Sequence, residues 1–277
     1  MKKALFFSLP FIVATMASCS LGKSRTVSIA NPVPDKPIEN NINIMAQRLA
    51  NLDIDVKEIS EQGDSVHITF KGDATDSVVR AILAPAGRLS FTKVVDPSES
   101  LVEAAARTIK SNNPEYADVF GEIGTDYKYT YFRAPNFNAS TIDSLLKVMR
   151  QPMNIPDNYK LKWSKTVTPN GEELNVLYVL DTYNSIDGVS LVDVTVEHEE
   201  MMGNFCTITL SDEGSRQFAR LTRNCIGQGV ALIIDNQVVM TPVVNDEITG
   251  GRVQITGNFT AEEMKALSTV LKNPYIR

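Results

Sequence analysis

Residues 205–271 constrain the fold more than any other stretch, because they predict strand, helix, hairpin, strand and helix without a gap. Residues 206–210 alternate apolar and polar side chains, as a half-buried strand does. Ser211 then offers a helix N-cap, since its hydroxyl can accept a hydrogen bond from a free N–H of the first turn. The apolar residues of this helix share one face: Phe218, Leu221 and Cys225. We therefore expect the helix to pack on a sheet.

The next part of the sheet is predicted by residues 230–241, which have the pattern of a two-residue hairpin. Apolar runs flank Asp235 and Asn236, and Asn tolerates the positive φ that such a turn requires. A further strand is expected at 252–256. Thr260 and Glu263 then form a capping-box pattern. They open a last helix with an apolar stripe: Met264, Leu267 and Leu271.

The N-terminus has the pattern of a lipoprotein signal peptide over residues 1–18. Lys2 and Lys3 precede a short apolar run, and small residues stand immediately before Cys19. We expect cleavage before Cys19 and lipidation of that residue; an ordinary secretory signal is the alternative. Residues 19–41 contain prolines among polar neighbours and are predicted to be a flexible tether.

Charge and hydropathy exclude several classes of partner. Cleavage before Cys19 removes Lys2 and Lys3, so the formal net charge changes from −6 to −8. An acidic surface of this kind argues against nucleic acid and against electrostatic adhesion to anionic lipid. No later stretch reaches the roughly 18 consecutive apolar residues that a membrane-spanning helix needs. The acyl group on Cys19 is therefore the expected membrane attachment.

Residues suited to catalysis or metal binding are few. His67 lies on a predicted strand whose opposite face is apolar, so we expect it to face solvent. Residues 197–200 supply His198 and three carboxylates, but no second His or Cys stands at metal-ligand spacing. Gly227 and Gly229 follow a helix and precede a strand, the reverse of a phosphate-binding loop. We expect no metal, no cofactor and no enzymatic activity.

The two remaining cysteines leave two interpretations. Cys206 is placed on a strand and Cys225 on the apolar face of a helix. In an oxidising compartment they form a disulfide if the fold brings their Cα atoms within about 7 Å. The alternative is that both are small buried apolar side chains.

Four ordered sequence blocks resemble the first large periplasmic domain of SecD and SecDF, the protein-export accessory subunits. The blocks are Leu-Ser-Asp-Glu-Gly at 210–214, Phe-Ala-Arg-Leu-Thr at 218–222, the loop at 242–251 and Ile-Thr-Gly-Asn-Phe-Thr at 255–260. Any one block means little, whereas four in order with a compatible final helix are specific. The turns at 62–64 and 87–91 resemble the base of the same domain, so the resemblance extends over residues 42–272.

The resemblance implies an α+β fold of two lobes, each a mainly antiparallel sheet backed by helices. The expected arrangement is a ferredoxin-like base with an inserted SecD-type head. The predicted boundaries are 42–98 for the base and 99–257 for the head, of which 99–181 is variable and 182–257 is the core. Residues 258–277 are expected to form a helix that returns to the base.

The resemblance also implies a non-catalytic binding module, lipid-anchored in the periplasm. The expected partners are extended or unfolded polypeptide and the Sec translocase or other envelope proteins, with a role in protein export or envelope protein handling. The alternatives are an envelope enzyme acting on a small or polymeric substrate, and a structural envelope lipoprotein.

The candidate binding residues lie in two turns, because long polar loops on a rigid sheet are common recognition sites. They are Asp235 and Asn236 in the hairpin turn, and Asn245, Asp246 and Glu247 in the loop at 242–251. The alternative is that these polar residues only shape their turns and satisfy the loop backbone.

Overall fold

The structure, a computed structural model, describes residues 24–33, 38–72, 74–95, 102–126, 129–134, 137–150, 154–167, 172–201, 203–257 and 259–275. The helices are α1 (Ile38–Ala50), α2 (Asp76–Leu83), α3 (Val102–Asn112), α4 (Ala117–Phe120), α5 (Ala139–Arg150), α6 (Asp212–Asn224) and α7 (Ala261–Lys272). The strands are β1 (Arg25–Ala30), β2 (Asp55–Gln62), β3 (Ser65–Lys71), β4 (Leu89–Val94), β5 (Glu122–Asp126), β6 (Tyr129–Arg133), β7 (Tyr159–Val167), β8 (Glu173–Asp187), β9 (Leu191–Glu199), β10 (Gly203–Leu210), β11 (Val230–Ile234), β12 (Gln237–Met240) and β13 (Arg252–Ile255).

The described strands form three sheets. One has the order β1-β3-β2, a second β13-β10-β9, and the largest β12-β11-β4-β8-β6-β5 with β7 also paired to β8. The strand ladders with a described register are antiparallel. The predicted α+β class with antiparallel sheets is confirmed.

The chain divides into two compact units. The large-sheet unit contains Ser90–Asp187 and Ser215–Gly251, and the two-sheet unit contains the described residues up to Leu89, Gly188–Gly214 and those from Arg252 onward. This division differs from the predicted boundaries. Strand β4, assigned to the base, pairs with β8 in the large sheet, and β9, β10 and β13, assigned to the head, share a unit with residues up to Leu89. Strand pairing between distant segments decided the division, and alternation within one strand does not specify its partner.

The predicted tether is wrong for residues 25–30 and 38–41. Strand β1 pairs with β3, with Val27 opposite Ile68, and Val27 and Ile29 are buried. Their alternation with polar neighbours supplies one apolar face, which the sheet covers. Helix α1 begins at Ile38. The predicted signal peptide and Cys19 lie outside the described residues.

The two-sheet unit has a core around the β1-β3-β2 sheet, with α1 and α2 packed against it. Helix α7 begins with the predicted capping box, since Thr260 and Glu263 exchange side chain-to-backbone hydrogen bonds. Its apolar stripe is fully buried. Beyond α7, Tyr275 lies in the same core cluster as the β1-β3-β2 sheet.

The large-sheet unit carries the segments that contain the candidate binding residues. Helix α6 begins in residues of the two-sheet unit, where Ser211 caps it by accepting from the Gly214 N–H at 3.1 Å, as predicted. Helix α6 ends at Asn224, and its Phe218 ring lies 4.7 Å from the Phe91 ring, between centroids. The predicted hairpin is also confirmed, because β11 and β12 pair directly around Asp235 and Asn236.

Both described cysteines are unpaired and buried, so the disulfide interpretation is wrong. Burial raises the pKa of Cys206 to about 12, and it also raises the pKa of Cys225. Neither thiol is therefore a thiolate near neutral pH. They are small buried side chains, since an unreactive thiol packs like other apolar groups of its size.

Candidate functional site

The first half of the loop at 242–251 is held by its backbone. It runs back beside the segment that joins α6 to β11. The Val230 N–H donates to the Pro242 carbonyl at 3.0 Å, and the Val244 N–H donates to the Gln228 carbonyl at 2.9 Å. The Gly227 N–H donates to the Val244 carbonyl at 2.8 Å. These bonds make the start of the loop an ordered extension of the hairpin.

The second half of the loop is attached to α6 by side chains. Arg223 donates two hydrogen bonds to the Glu247 carboxylate, from Nε at 2.8 Å and from a terminal nitrogen at 2.6 Å. These bonds hold the pKa of Glu247 below its usual value and raise that of Arg223. The Ile248 N–H donates to Thr222 Oγ1 at 3.0 Å, and Asp246 Oδ1 accepts from the Glu247 N–H at 2.7 Å. The loop is therefore charged and ordered at the same time.

Gly251 closes the loop against the start of α6. Its φ is +60°, and a Cβ atom added there would lie 1.9 Å from Ser215 Oγ. A left-handed backbone and a close approach to a neighbouring side chain both favour glycine. The Gly-Gly pair in the sequence therefore has a structural role at its second position.

The hairpin turn is formed by two residues with positive φ, 47° at Asp235 and 71° at Asn236. These angles are those of a turn whose twist matches the flanking strands. The Lys162 amine on β7 donates to Asn236 Oδ1. Burial lowers the pKa of Lys162, and the nearby Lys160 lowers it further. Asn236 thus joins the hairpin to the neighbouring strand.

The structure separates the two groups of predicted binding residues. Asp235 and Asn236 lie at the tip of the β11–β12 hairpin, whereas Asn245, Asp246 and Glu247 follow the other end of β12. Four strand residues span about 13 Å. The two groups of candidate residues therefore do not form one continuous surface, since an antiparallel hairpin places its tip and its return loop at opposite ends.

Two exposed isoleucines adjoin the loop and were not predicted as site residues. Ile226, bridged to Val244, is 52% exposed, and Ile248 is 37% exposed. We define the loop surface as Ile226, Asn245, Asp246, Glu247 and Ile248. It combines apolar contact area with polar groups that can hydrogen-bond a peptide backbone. The sequence contained one signal for it, an isoleucine directly after three polar loop residues.

The two histidines have local polar partners. His67 Nε2 lies 3.5 Å from Ser28 Oγ, and His198 Nδ1 lies 3.0 Å from Asn204 Oδ1. Within the described ranges, no group of three or more His, Cys, Asp or Glu side chains is arranged to hold a metal ion. None of the described helices has the length and hydropathy needed to cross a membrane.

Comparison with known families and relatives shows what the chain is similar to. Residues 164–274 match the family described as "SecDF, P1 head subdomain". Protein translocase subunit SecD of Desulfurispirillum indicum is 32% identical over 145 residues, covering 51% of this chain and 27% of the relative. The SecD subunits of Rhodothermus marinus and Rickettsia conorii are each 24% identical, over 86% and 95% of this chain and 44% and 41% of their own lengths. The chain therefore spans less than half of these relatives.

Two solved structures share the fold. The first is a structure described as "Structure and function of a membrane component SecDF that enhances protein export". It matches with a TM-score of 0.50 and 18% identity, over 90% of this chain and 93% of that chain. The second is described as "Crystal structure of SecDF in Super-membrane-facing form". It matches with a TM-score of 0.52 and 17% identity, over 90% of this chain and 28% of that chain. The predicted resemblance to the SecD and SecDF periplasmic domain is confirmed.

Proposed function

We propose that this protein is a non-catalytic polypeptide-binding module of the bacterial envelope, acting as an accessory in protein export or envelope protein handling. The supporting observation is the similarity of residues 164–274 to the SecDF P1 head subdomain, together with SecD similarity over most of the chain. One solved relative is described as enhancing protein export. The proposed partners are extended or unfolded polypeptide and the Sec translocase or other envelope proteins.

The loop surface is the proposed contact for polypeptide. Ile226 and Ile248 offer exposed apolar area on a backbone that hydrogen bonds hold in place. A rigid apolar contact loses little conformational entropy when a ligand binds. Asn245 and Asp246 are exposed beside them and supply side-chain acceptors for peptide N–H groups. The proposal assigns Asp235 and Asn236 a lesser role, since they lie at the other end of the hairpin.

The proposed location is the periplasm, with attachment through a lipid on Cys19. The sequence pattern around Cys19 supports this proposal, as does the similarity to a periplasmic domain. Such an anchor would keep the module at a membrane surface, where newly exported chains emerge unfolded. A single acyl chain binds membranes weakly, so the several chains of a bacterial lipoprotein suit a stable attachment.

The test measures capture of a reduced, alkylated model protein that cannot refold. We expect the unchanged protein to bind it, and Ile226→Ser/Ile248→Ser to bind about tenfold more weakly, since apolar contact drives such binding. Val148→Ser is the matched control, because Val148 is an exposed valine on α5 in the same unit. Binding that is equal in all three proteins would overturn the loop surface. An unchanged protein that captures no polypeptide would overturn the proposed function.

A further inference from the structure

We propose that the outer edge of strand β9 accepts a cationic, extended polypeptide segment as an added strand. We define the β9 edge as residues 195–201, which are the end of β9 and the first two residues of the following turn. It belongs to the two-sheet unit and is a different site from the loop surface. The inference rests on the proposed function in one respect, that the ligand is a polypeptide, and it adds the chemical class of that ligand.

The backbone of the β9 edge is open to pairing. In the part of the chain that the structure describes, β9 is the last strand of the β13-β10-β9 sheet and pairs with β10 alone. Alternate residues of an edge strand direct their N–H and C=O groups away from the sheet. Every residue from Thr195 to Glu199 is exposed. An incoming strand would find a continuous row of donors and acceptors.

Strand β9 keeps an unbroken register with β10 over residues 195–199. Its pairing with β10 runs from Glu199 opposite Gly203 to Thr195 opposite Thr207 without a bulge. Glu197 Oε1 accepts from Thr207 Oγ1 at 3.0 Å and from Thr195 Oγ1 at 3.2 Å. The partner strand β10 is largely buried. The edge therefore needs no rearrangement before a further strand is added.

Charge determines what kind of strand fits. Residues 191–201 contain four carboxylates, and no Lys or Arg occurs between residues 191 and 215. Asp193 is engaged by Lys272 at 3.8 Å, and Glu197 is engaged by the two threonines. Glu199 and Glu200 are exposed, and neither carboxylate has a hydrogen-bond or ion-pair partner within the described residues. Lysine or arginine side chains on an added strand would pair with these two carboxylates.

Exposed apolar side chains accompany the charge. Val196 is 42% exposed and Met201 is 98% exposed. Charged residues on an edge strand commonly prevent two protein molecules from pairing through their sheet edges, and acidic residues alone would be enough for that role. Apolar side chains in the same place favour contact with a ligand. A second copy of this chain is a poor occupant, because two β9 strands would bring like charges opposite each other.

The test compares short peptides by fluorescence anisotropy against the purified chain. One peptide alternates lysine and valine, and its counterpart alternates glutamate and valine. A third is the lysine peptide methylated on successive backbone nitrogens, which blocks both of its edges and keeps its charge. We expect the lysine peptide to bind, and the other two to bind about tenfold more weakly or not at all. Equal binding of the methylated lysine peptide would overturn strand addition, and equal binding of the glutamate peptide would overturn the charge argument.

Substitutions of the exposed carboxylates test whether the lysine peptide binds at the β9 edge. We expect Glu199→Gln/Glu200→Gln to weaken binding of the lysine peptide about tenfold, because two ion pairs at an edge are removed. Glu58→Gln/Glu61→Gln is the matched control, since it neutralises two exposed carboxylates on β2, another edge strand of the same unit. An equal loss in the control would overturn the assignment to β9. The loss caused by Glu199→Gln/Glu200→Gln should be equally large when it is measured in the Ile226→Ser/Ile248→Ser background, so failure at the β9 edge and failure at the loop surface are separate results.

Discussion

The guanidinium carbon of Arg48 lies 4.1 Å from the centroid of the Tyr275 ring, and the Arg48 side chain is fully buried. Arg48 Nε donates to the Asn273 carbonyl at 2.9 Å, just beyond the end of α7. A terminal nitrogen donates to the Ile82 and Pro85 carbonyls at 2.8 and 2.6 Å, at the end of α2. One buried cation on α1 therefore satisfies carbonyl groups that two helix ends leave without intrahelical partners.

Arg48→Met is expected to destabilise the two-sheet unit by about 2–5 kcal/mol, because several buried carbonyls lose a charged donor at once. Denaturant unfolding followed by circular dichroism measures the change. Arg80→Met is the control, since Arg80 is exposed and, within the described residues, its side chain donates only to the Ser28 carbonyl. A loss for Arg48→Met no larger than that of the control would contradict the structural role assigned to Arg48.

The buried Tyr275 hydroxyl makes the free energy of unfolding depend on pH in the alkaline range. Its hydroxyl donates to the Leu83 carbonyl at 2.8 Å, and burial raises its pKa to about 12. The unfolded chain loses this proton near its ordinary pKa of about 10, before the folded chain does. Its contribution is therefore fully present below pH about 10 and is lost as the pH rises toward about 12. In Tyr275→Phe the free energy of unfolding should not show this fall between pH about 10 and about 12. Denaturant unfolding of both proteins at several pH values measures the difference. If the free energies of unfolding of the two proteins vary with pH in parallel, the role assigned to the Tyr275 hydroxyl is refuted.

Leu267→Ala tests the burial of the last helix. Leu267 is 1% exposed, in the stripe that the sequence predicted. Removing a fully buried leucine side chain costs about 2–5 kcal/mol, depending on how far the site collapses. Glu262→Ala, an exposed change in the first turn of the same helix, should cost far less. Thermal and denaturant unfolding measure both. A stability for Leu267→Ala equal to that of Glu262→Ala would show that the stripe is not buried.

Asp246→Asn/Glu247→Gln tests the charge of the loop surface. We expect weaker capture of the unfolded model protein and an unchanged melting temperature, because ion pairs as exposed as Arg223 with Glu247 contribute little to stability. Arg223→Gln is the companion variant, since it breaks the same ion pair and keeps both carboxylates. If Arg223→Gln reduces capture as strongly, loop geometry is responsible and the carboxylates are not.

Cys19→Ala tests the anchor. Without the thiol no acyl chain can be attached, so we expect an uncut or soluble product in place of a processed membrane protein. Fractionation of cells followed by detection of the chain gives the result. A processed Cys19→Ala product that stays with the membrane would rule out the lipoprotein hypothesis.

The helix cap and the hairpin turn, which depend on neighbouring residues, could be predicted from the sequence. The capping box at Thr260 and Glu263 and the turn at Asp235 and Asn236 both formed as predicted. Each depends on residues within four positions of one another, so neighbouring side chains and φ preferences are sufficient to specify it. Of the four sequence blocks that predicted the SecD resemblance, two lie at the start of and within α6, one follows the β11–β12 hairpin, and one leads into the capping box.

The candidate site was only partly predictable. The sequence identified a polar loop at 242–251, but it did not show that Arg223 on α6 engages Glu247, or that Lys162 on β7 engages Asn236. Both contacts join residues far apart along the chain, and many charged residues were equally available as partners. The open edge of β9 was hidden for the same reason, because a strand is an edge only relative to its sheet.

The sequence by itself determined helices α6 and α7, the β11–β12 hairpin, strands β10 and β13, and the family that the chain resembles. The tertiary structure decided that Arg25–Ala30 is a strand, that β4 joins the large sheet, and that β9, β10 and β13 lie in the two-sheet unit. It also decided that Arg48 is buried. The physical reason is that hydrogen-bond pairing and burial depend on which distant segments meet, whereas caps, turns and alternation depend only on near neighbours.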